Sequence, residues 1–290
     1  MESKNINRRN FMGLSLVITA LPSLALSEER KFNPKLKGWA IQDPSNKQNV
    51  SGFVYIPTIW GEQLKIPDAL QIRNLLMQGI YLNLRRANIG FVEAINKYTN
   101  INAYSDAHLY LSSNKLMEYP FIYITTDKAF EFTKTERDNF ENYLRNGGFA
   151  LLESLEPELD YSQAEASLKQ MMRDVLKKDV RFLPISFSHD IYHCFFDFNE
   201  GAPQGTELNW MIKSQLGREA TVLKNYIIPK YRPYLEGIFL DDRLVAVYSG
   251  KGYGRKWKDI ANNEPQQKMA VNFVVYALTQ KGGIAQKIKY

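Results

Sequence analysis

The sequence has a single cysteine, Cys194, set between His193 and two phenylalanines. No intramolecular disulfide is possible, and in an oxidising compartment a lone thiol is best kept buried. There is no Gly-x-Ser-x-Gly elbow, which removes the usual strand-to-helix serine nucleophile. Clusters of one charge sign are missing too. The 37 lysines and arginines are interspersed with 31 acids for a formal charge of +6, a distribution that argues against a nucleic-acid partner. Low-complexity tracts and internal repeats are absent. The apolar stretch from Met12 to Leu26 falls short of the ~20 residues that span a bilayer, so the mature chain is expected to have no transmembrane segment.

At 290 residues, with 44% hydrophobic and 13% aromatic content, the chain can fill a full core. Its first 27 residues read as a targeting segment. Asn7-Arg8-Arg9-Asn10-Phe11-Met12 is similar to a twin-arginine export signal, followed by the apolar run, Pro22, and small residues at Ala25 and Ser27 where a peptidase can cut. Removal takes Lys4, Arg8, Arg9 and Glu2 and leaves +4 on the mature chain. The periplasm or the exterior is the expected destination. Export of this type delivers folded proteins, which permits a cofactor without requiring one. Residues 28–51 read as a polar lead-in with a turn at Asp43 to Lys47, and residues 52–290 as one α/β domain.

The most legible unit is Tyr119 to Ser154. Phe121 to Thr125 is β-branched and aromatic, as in a strand buried on both faces. Thr133 with Glu136 fits a capping box, and Asn146-Gly147-Gly148 ends the helix before a second strand, Phe149 to Leu152. A parallel crossover of this kind places Thr126 to Phe130 and Glu153-Ser154 at the carboxyl edge of the sheet, where open α/β sheets bind ligands. Around this unit, Gly52 to Ile59 reads as the first strand, Pro67 to Met77 and Phe91 to Tyr98 as helices, and Val180 to Ile185 as a short strand. Ser162 with Glu165 repeats the capping-box pattern before a helix to Lys178 with a Leu-Met face. Residues 204–230, with Trp210 and Tyr226, read as an insertion that can roof a cleft. Asp241-Asp242 forms a hairpin turn, and Pro265 to Leu278 a terminal helix.

YPFIYIT, NGGFALLES, LPISFSHDIYHCFFDF, LEGIFLDDRLVAVYS and AVNFVVYALT, in that order, resemble the domain-of-unknown-function family numbered 4159. The likeness runs from about Gly52 to Thr279. It implies a flavodoxin-like, three-layer sandwich with a mainly parallel sheet, related to class I glutamine amidotransferases but without their catalytic cysteine. Glu153-Ser154 stands where the family pattern has an aspartate pair. The resemblance also marks a histidine near His189 as a family feature, whereas His193 is peculiar to this chain.

Candidate site residues follow from placement. Asp127 and Glu153, at neighbouring strand ends, can act as acid and base or ligate a hard cation; otherwise they are solvated strand-end charges. His189 and His193, if helical, lie one turn apart in the spacing of a two-histidine metal site; otherwise they are hydrogen-bonded loop histidines. Gly250 to Trp257 is a glycine-rich basic loop without P-loop spacing, in which Lys251 can hold an anion and Tyr253 and Trp257 can offer a sugar or peptide platform. The expected function is a non-catalytic binding module of the cell envelope, its partner an envelope protein or a small-molecule or saccharide ligand held by Asp127, Glu153, His189, Lys251 and Tyr253. The alternative is a hydrolase, metal-assisted or not, acting on carbohydrate or peptide at the same edge.

Overall fold

The computed structural model describes residues 35–60, 80–126, 129–154, 162–206, 233–257 and 263–286. Within them lies a mixed, mostly parallel sheet of eight strands: β1 (Gly38–Asp43), β2 (Asn46–Trp60), β3 (Asn100–Tyr110), β4 (Phe121–Thr126), β5 (Phe149–Ser154), β6 (Leu183–Pro184), β7 (Glu236–Leu240) and β8 (Arg243–Ser249). The order is β1-β2-β4-β5-β8-β7-β6, with β3 on β2. Strands β2, β3, β4, β5 and β8 run parallel, while β1, β6 and β7 join antiparallel at the two ends.

Helices cover both faces, which is the arrangement a parallel sheet needs to bury its two apolar sides. Helices α1 (Ile80–Tyr98), α4 (Tyr253–Trp257) and α5 (Glu264–Thr279) pack with Phe121, Tyr123, Phe149 and Leu151 on one face. On the other, α2 (Lys134–Arg145) and α3 (Gln163–Leu176) pack on Ile122, Ile124, Ala150 and Leu152. The alternation along β4 and β5 thus feeds two separate cores. The architecture is α/β and compatible with a three-layer sandwich.

The central unit folds as its local chemistry dictates. Strand β4 pairs parallel with β5 from Phe121↔Phe149 to Thr126↔Ser154. Thr133 Oγ1 accepts from the Glu136 amide, and the Glu136 carboxylate accepts from the Thr133 amide at 2.8 Å, so the capping box closes. Gly147 adopts φ 104°, and a Cβ there would meet the Gly282 carbonyl at 2.6 Å, so both conformation and space demand glycine.

Several elements differ from expectation. Part of the stretch read as a lead-in is β1, which pairs with β2 across the turn where the Asp43 carboxylate accepts from the Ser45 amide. Strand β3, Asn100–Tyr110, occupies a stretch where the sequence predicts no element. Helix α1 begins well before Phe91. The strand read over Val180 to Ile185 shrinks to Leu183–Pro184, both exposed. At α3 Ser162 Oγ accepts from the Glu165 amide, as the capping pattern predicts, and the Glu165 carboxylate pairs with Lys169 at 2.9 Å. The β7–β8 hairpin turns at Asp241-Asp242 as expected, with Asp241 at φ 52°. The targeting segment, the helix read at Pro67, Asp127 and the insertion around Trp210 lie outside the described residues.

Candidate functional site

The carboxyl edge is built around Glu153. Along β5 its side chain shares a face with Phe149 and Leu151, so it points at α1, α4 and α5 and is fully buried. Neighbouring strands place Thr125 and Ser249 level with it. One oxygen, Oε1, accepts from Ser249 Oγ at 3.0 Å and the Tyr253 amide at 2.8 Å; Oε2 accepts from Tyr123 Oη and the Gly254 amide, each at 2.7 Å. Both oxygens are therefore occupied from the protein side. Burial pushes this carboxyl above its ordinary pKa, against the pull of the four donors, and burial with the adjacent carboxylate raises the Tyr123 phenol.

This cluster fastens the glycine-rich loop to the sheet. A Cβ on Gly254 would lie 2.6 Å from Tyr123 Oη and 3.0 Å from Glu153 Oε2, so the amide reaches the carboxylate only because glycine is there. Lys251 and Tyr253 are both buried. The Lys251 carbonyl accepts from the Thr206 amide at 2.8 Å, and Tyr253 Oη donates to the Pro203 carbonyl at 2.5 Å. Trp257 is also inside, its Nε1 donating to the Gln266 carbonyl at 2.8 Å. The two rings read as an exposed platform are core residues in the fold.

The structure thus brings Glu153, Lys251 and Tyr253 together and leaves the histidines elsewhere. His189 caps a 3-10 turn, Asp190–Tyr192, its Nδ1 accepting from the Ile191 amide at 3.1 Å. Its ring lies against Phe239 and Tyr276, and Tyr276 lies against Phe149, at the amino end of β5. Four residues of strand, about 13 Å, separate Phe149 from Glu153, so His189 and Glu153 occupy opposite edges of the sheet. Burial lowers the His189 pKa, with Asp190 opposing, which favours the neutral ring. His193 is not one helical turn from His189. Its two nitrogens contact the Asp197 carboxylate at 3.0 Å and the Phe187 carbonyl at 2.7 Å. Among the described residues no group of three or more His, Cys, Asp or Glu is arranged to hold a metal ion.

A model of the domain of unknown function DUF4159 matches residues 71–278. The chain belongs to the DUF4159 family. No curated protein matches it. Within the DUF4159 domain lie several residues that sequence reasoning passed over. Tyr123, Ser249 and Gly254 hold Glu153. Asn272, fully buried on α5, donates to the Ile191 and Phe196 carbonyls at 3.0 and 2.9 Å and accepts from the Phe196 amide at 2.9 Å. An asparagine inside the apolar run AVNFVVYALT was the available signal, since buried amides are retained where they are hydrogen-bonded. Cys194 sits beside it, its Sγ donating to the Asn272 carbonyl at 3.3 Å, and burial raises the thiol pKa.

Proposed function

We propose that the DUF4159 domain is an exported, non-catalytic binding module of the cell envelope on a flavodoxin-like sheet of the glutamine-amidotransferase type. One observation carries the reading. Glu153, the candidate acid at the carboxyl edge, is buried with both oxygens engaged by four donors, and His189 stands at the other edge. A general base must reach its proton, whereas Glu153 spends its charge on fixing a loop. The twin-arginine pattern at Arg8-Arg9 and the inward-held Cys194 thiol favour export to an oxidising compartment. No helix among the described residues is long and apolar enough to cross a membrane. The ligand in this reading is an envelope protein or a small molecule such as a saccharide.

The deciding experiment assays the purified protein for turnover of peptide, glycoside and ester substrates, with and without added Mg²⁺, Ca²⁺ or Zn²⁺, beside thermal-shift titrations with saccharides and peptides. The expected result is saturable stabilisation by a ligand and no turnover. A turnover that His189→Ala or Glu153→Gln abolishes, in protein that still melts cooperatively, would overturn the proposal.

A further inference from the structure

Two grooves meet along the exposed side of α3, sharing Gln170 and Arg173. One, of about 760 Å³, lies between α3 and the segment 129–131, with Phe130, Glu131, Glu165 and Lys169 in its walls. The other, of about 770 Å³, continues to the end of the helix between Arg137 of α2 and Asp174, Lys177 and Val180. Together they form a trough that follows α3 from Glu165 to Lys177, roughly 18 Å at the rise of a helix.

The cations of this trough fall into two kinds. Lys169, at the Phe130 end, is internally neutralised: it pairs with Glu165 at 2.9 Å and Glu236 at 2.7 Å and lies over the Phe182 and Tyr248 rings. Arg137, Arg173 and Lys177, at the other end, close no ion pair among the described residues. Elsewhere on the surface Lys37, Lys47, Lys134, Arg145 and Lys268 each hold a carboxylate, while Lys115, Lys178, Arg181, Lys256 and Lys281 close no ion pair among the described residues either. The trough is therefore distinguished by bringing three such cations together rather than by their lack of partners. The Asp138 carboxylate, paired with Lys134, lies near Arg137 and Lys177. Helix electrostatics favour two of the three, since Arg173 and Lys177 lie in the last turn and at the cap of α3, but not Arg137, which sits in the first turn of α2 and donates through Nη1 to the Phe132 carbonyl. Lys177 also holds φ 54° and ψ −121°, a conformation costly for any residue but glycine.

We propose that this trough binds an extended acidic peptide of a partner protein, about five residues long, with an apolar side chain against Phe130 and its carboxylates over Arg137, Arg173 and Lys177. The two guanidinium groups suit carboxylates by their planar fork. A bilayer fits less well. Glu131 and Asp174 within the trough repel a uniformly anionic sheet, while a peptide can place its charges between them. The inference rests on the binding-module reading but is tested separately from it, since turnover decides that reading and peptide binding decides this one.

The probe is a fluorescein-labelled Phe-Gly-Glu-Glu-Glu peptide followed by anisotropy on the intact protein, with its Gln-for-Glu analogue as control. Saturable binding at low salt is expected, weakened about tenfold in the Arg173→Gln/Lys177→Gln double variant and unchanged by Lys134→Gln, which lies outside the trough. Both exposed substitutions should leave the melting temperature near wild type. Equal binding of the neutral analogue, equal binding by the double variant, or no saturable binding would overturn the proposal. So would capture of the protein by phosphatidylglycerol vesicles without peptide binding, which would assign the surface to a membrane.

Discussion

Replacing Glu153 by alanine should unfasten α4 from the sheet. The substitution leaves four donors aimed at an empty space. Tyr123 Oη and Ser249 Oγ can rotate toward other acceptors, but the Tyr253 and Gly254 amides are fixed by the backbone. Each orphaned buried donor costs about 1–3 kcal/mol, so the two amides alone account for about 2–6 kcal/mol. In a domain of this size each kcal/mol moves Tm by about 2–4 °C, and a fall of roughly 10 °C is expected in thermal unfolding followed by circular dichroism. Glu153→Gln should fall less, because one oxygen survives, although its NH2 group then faces a fixed amide. The pH dependence has a definite sign. Because burial raises the Glu153 pKa in the folded state, the folded protein binds this proton more tightly than the unfolded chain. The contribution is complete below the ordinary carboxyl pKa and is lost as pH rises through the higher folded value. The stability gap between wild type and Glu153→Gln should therefore narrow as pH rises from about 4.5, the ordinary carboxyl value, toward neutrality. A Glu153→Ala protein melting within about 2 °C of wild type, or a gap that widens with pH, would refute this account of the cluster.

Gly90→Ala should be more damaging than most helix glycine substitutions, because the new Cβ would stand 2.0 Å from the Trp257 carbonyl and force α1 off α4; reduced yield or a lost cooperative melt is the readout. Asn272→Leu should cost about 2–5 kcal/mol in chemical denaturation, since it orphans the Phe196 amide and two carbonyls inside the core. Lys177→Gly should raise stability by about 1 kcal/mol by relieving the positive φ, and an unchanged denaturation midpoint would count against strain at that residue.

What was legible in the sequence is what is decided locally. The β4-α2-β5 unit announces itself because its strand runs, capping box and glycine exit are each written within a few neighbouring residues. Strand β3 does not, because the inward positions of NINAYSDAHLY are marked only by Ile101, Ala103 and Leu109 and are interrupted by Ser105, which blurs the alternation that signals a half-exposed strand. The role of Glu153 was invisible for a different reason. Its donors come from Tyr123, 30 residues away, and from Ser249, Tyr253 and Gly254, about a hundred residues away, so nothing near it in the chain distinguishes an anchored carboxylate from a solvated one. The histidine spacing misled in the opposite direction. An i, i+4 pair carries meaning on an α-helix, but the intervening residues form a 3-10 turn, and the two rings go to different partners.

The anchored carboxylate also bears on where a ligand can sit. With Oε1 and Oε2 both taken up by the loop and α4, the β5–β8 portion of the carboxyl edge is closed by the protein's own backbone, and Lys251 and Tyr253 are drawn inward with it. The other side of β5 is arranged differently. There Ser154 Oγ meets Ser162 Oγ at 3.3 Å, Ser162 caps α3, and the Phe130 amide donates to Ser167 at 3.3 Å. Those contacts carry the strand end directly into the first turns of α3, and so into the mouth of the trough that ends at Arg137 and Lys177. A ligand reaching this edge among the described residues meets packed backbone on one face of the sheet and an open, charged groove on the other. On the proposed reading, recognition falls on the α2–α3 face, while the Glu153 cluster fastens the loop and α4 to the opposite one.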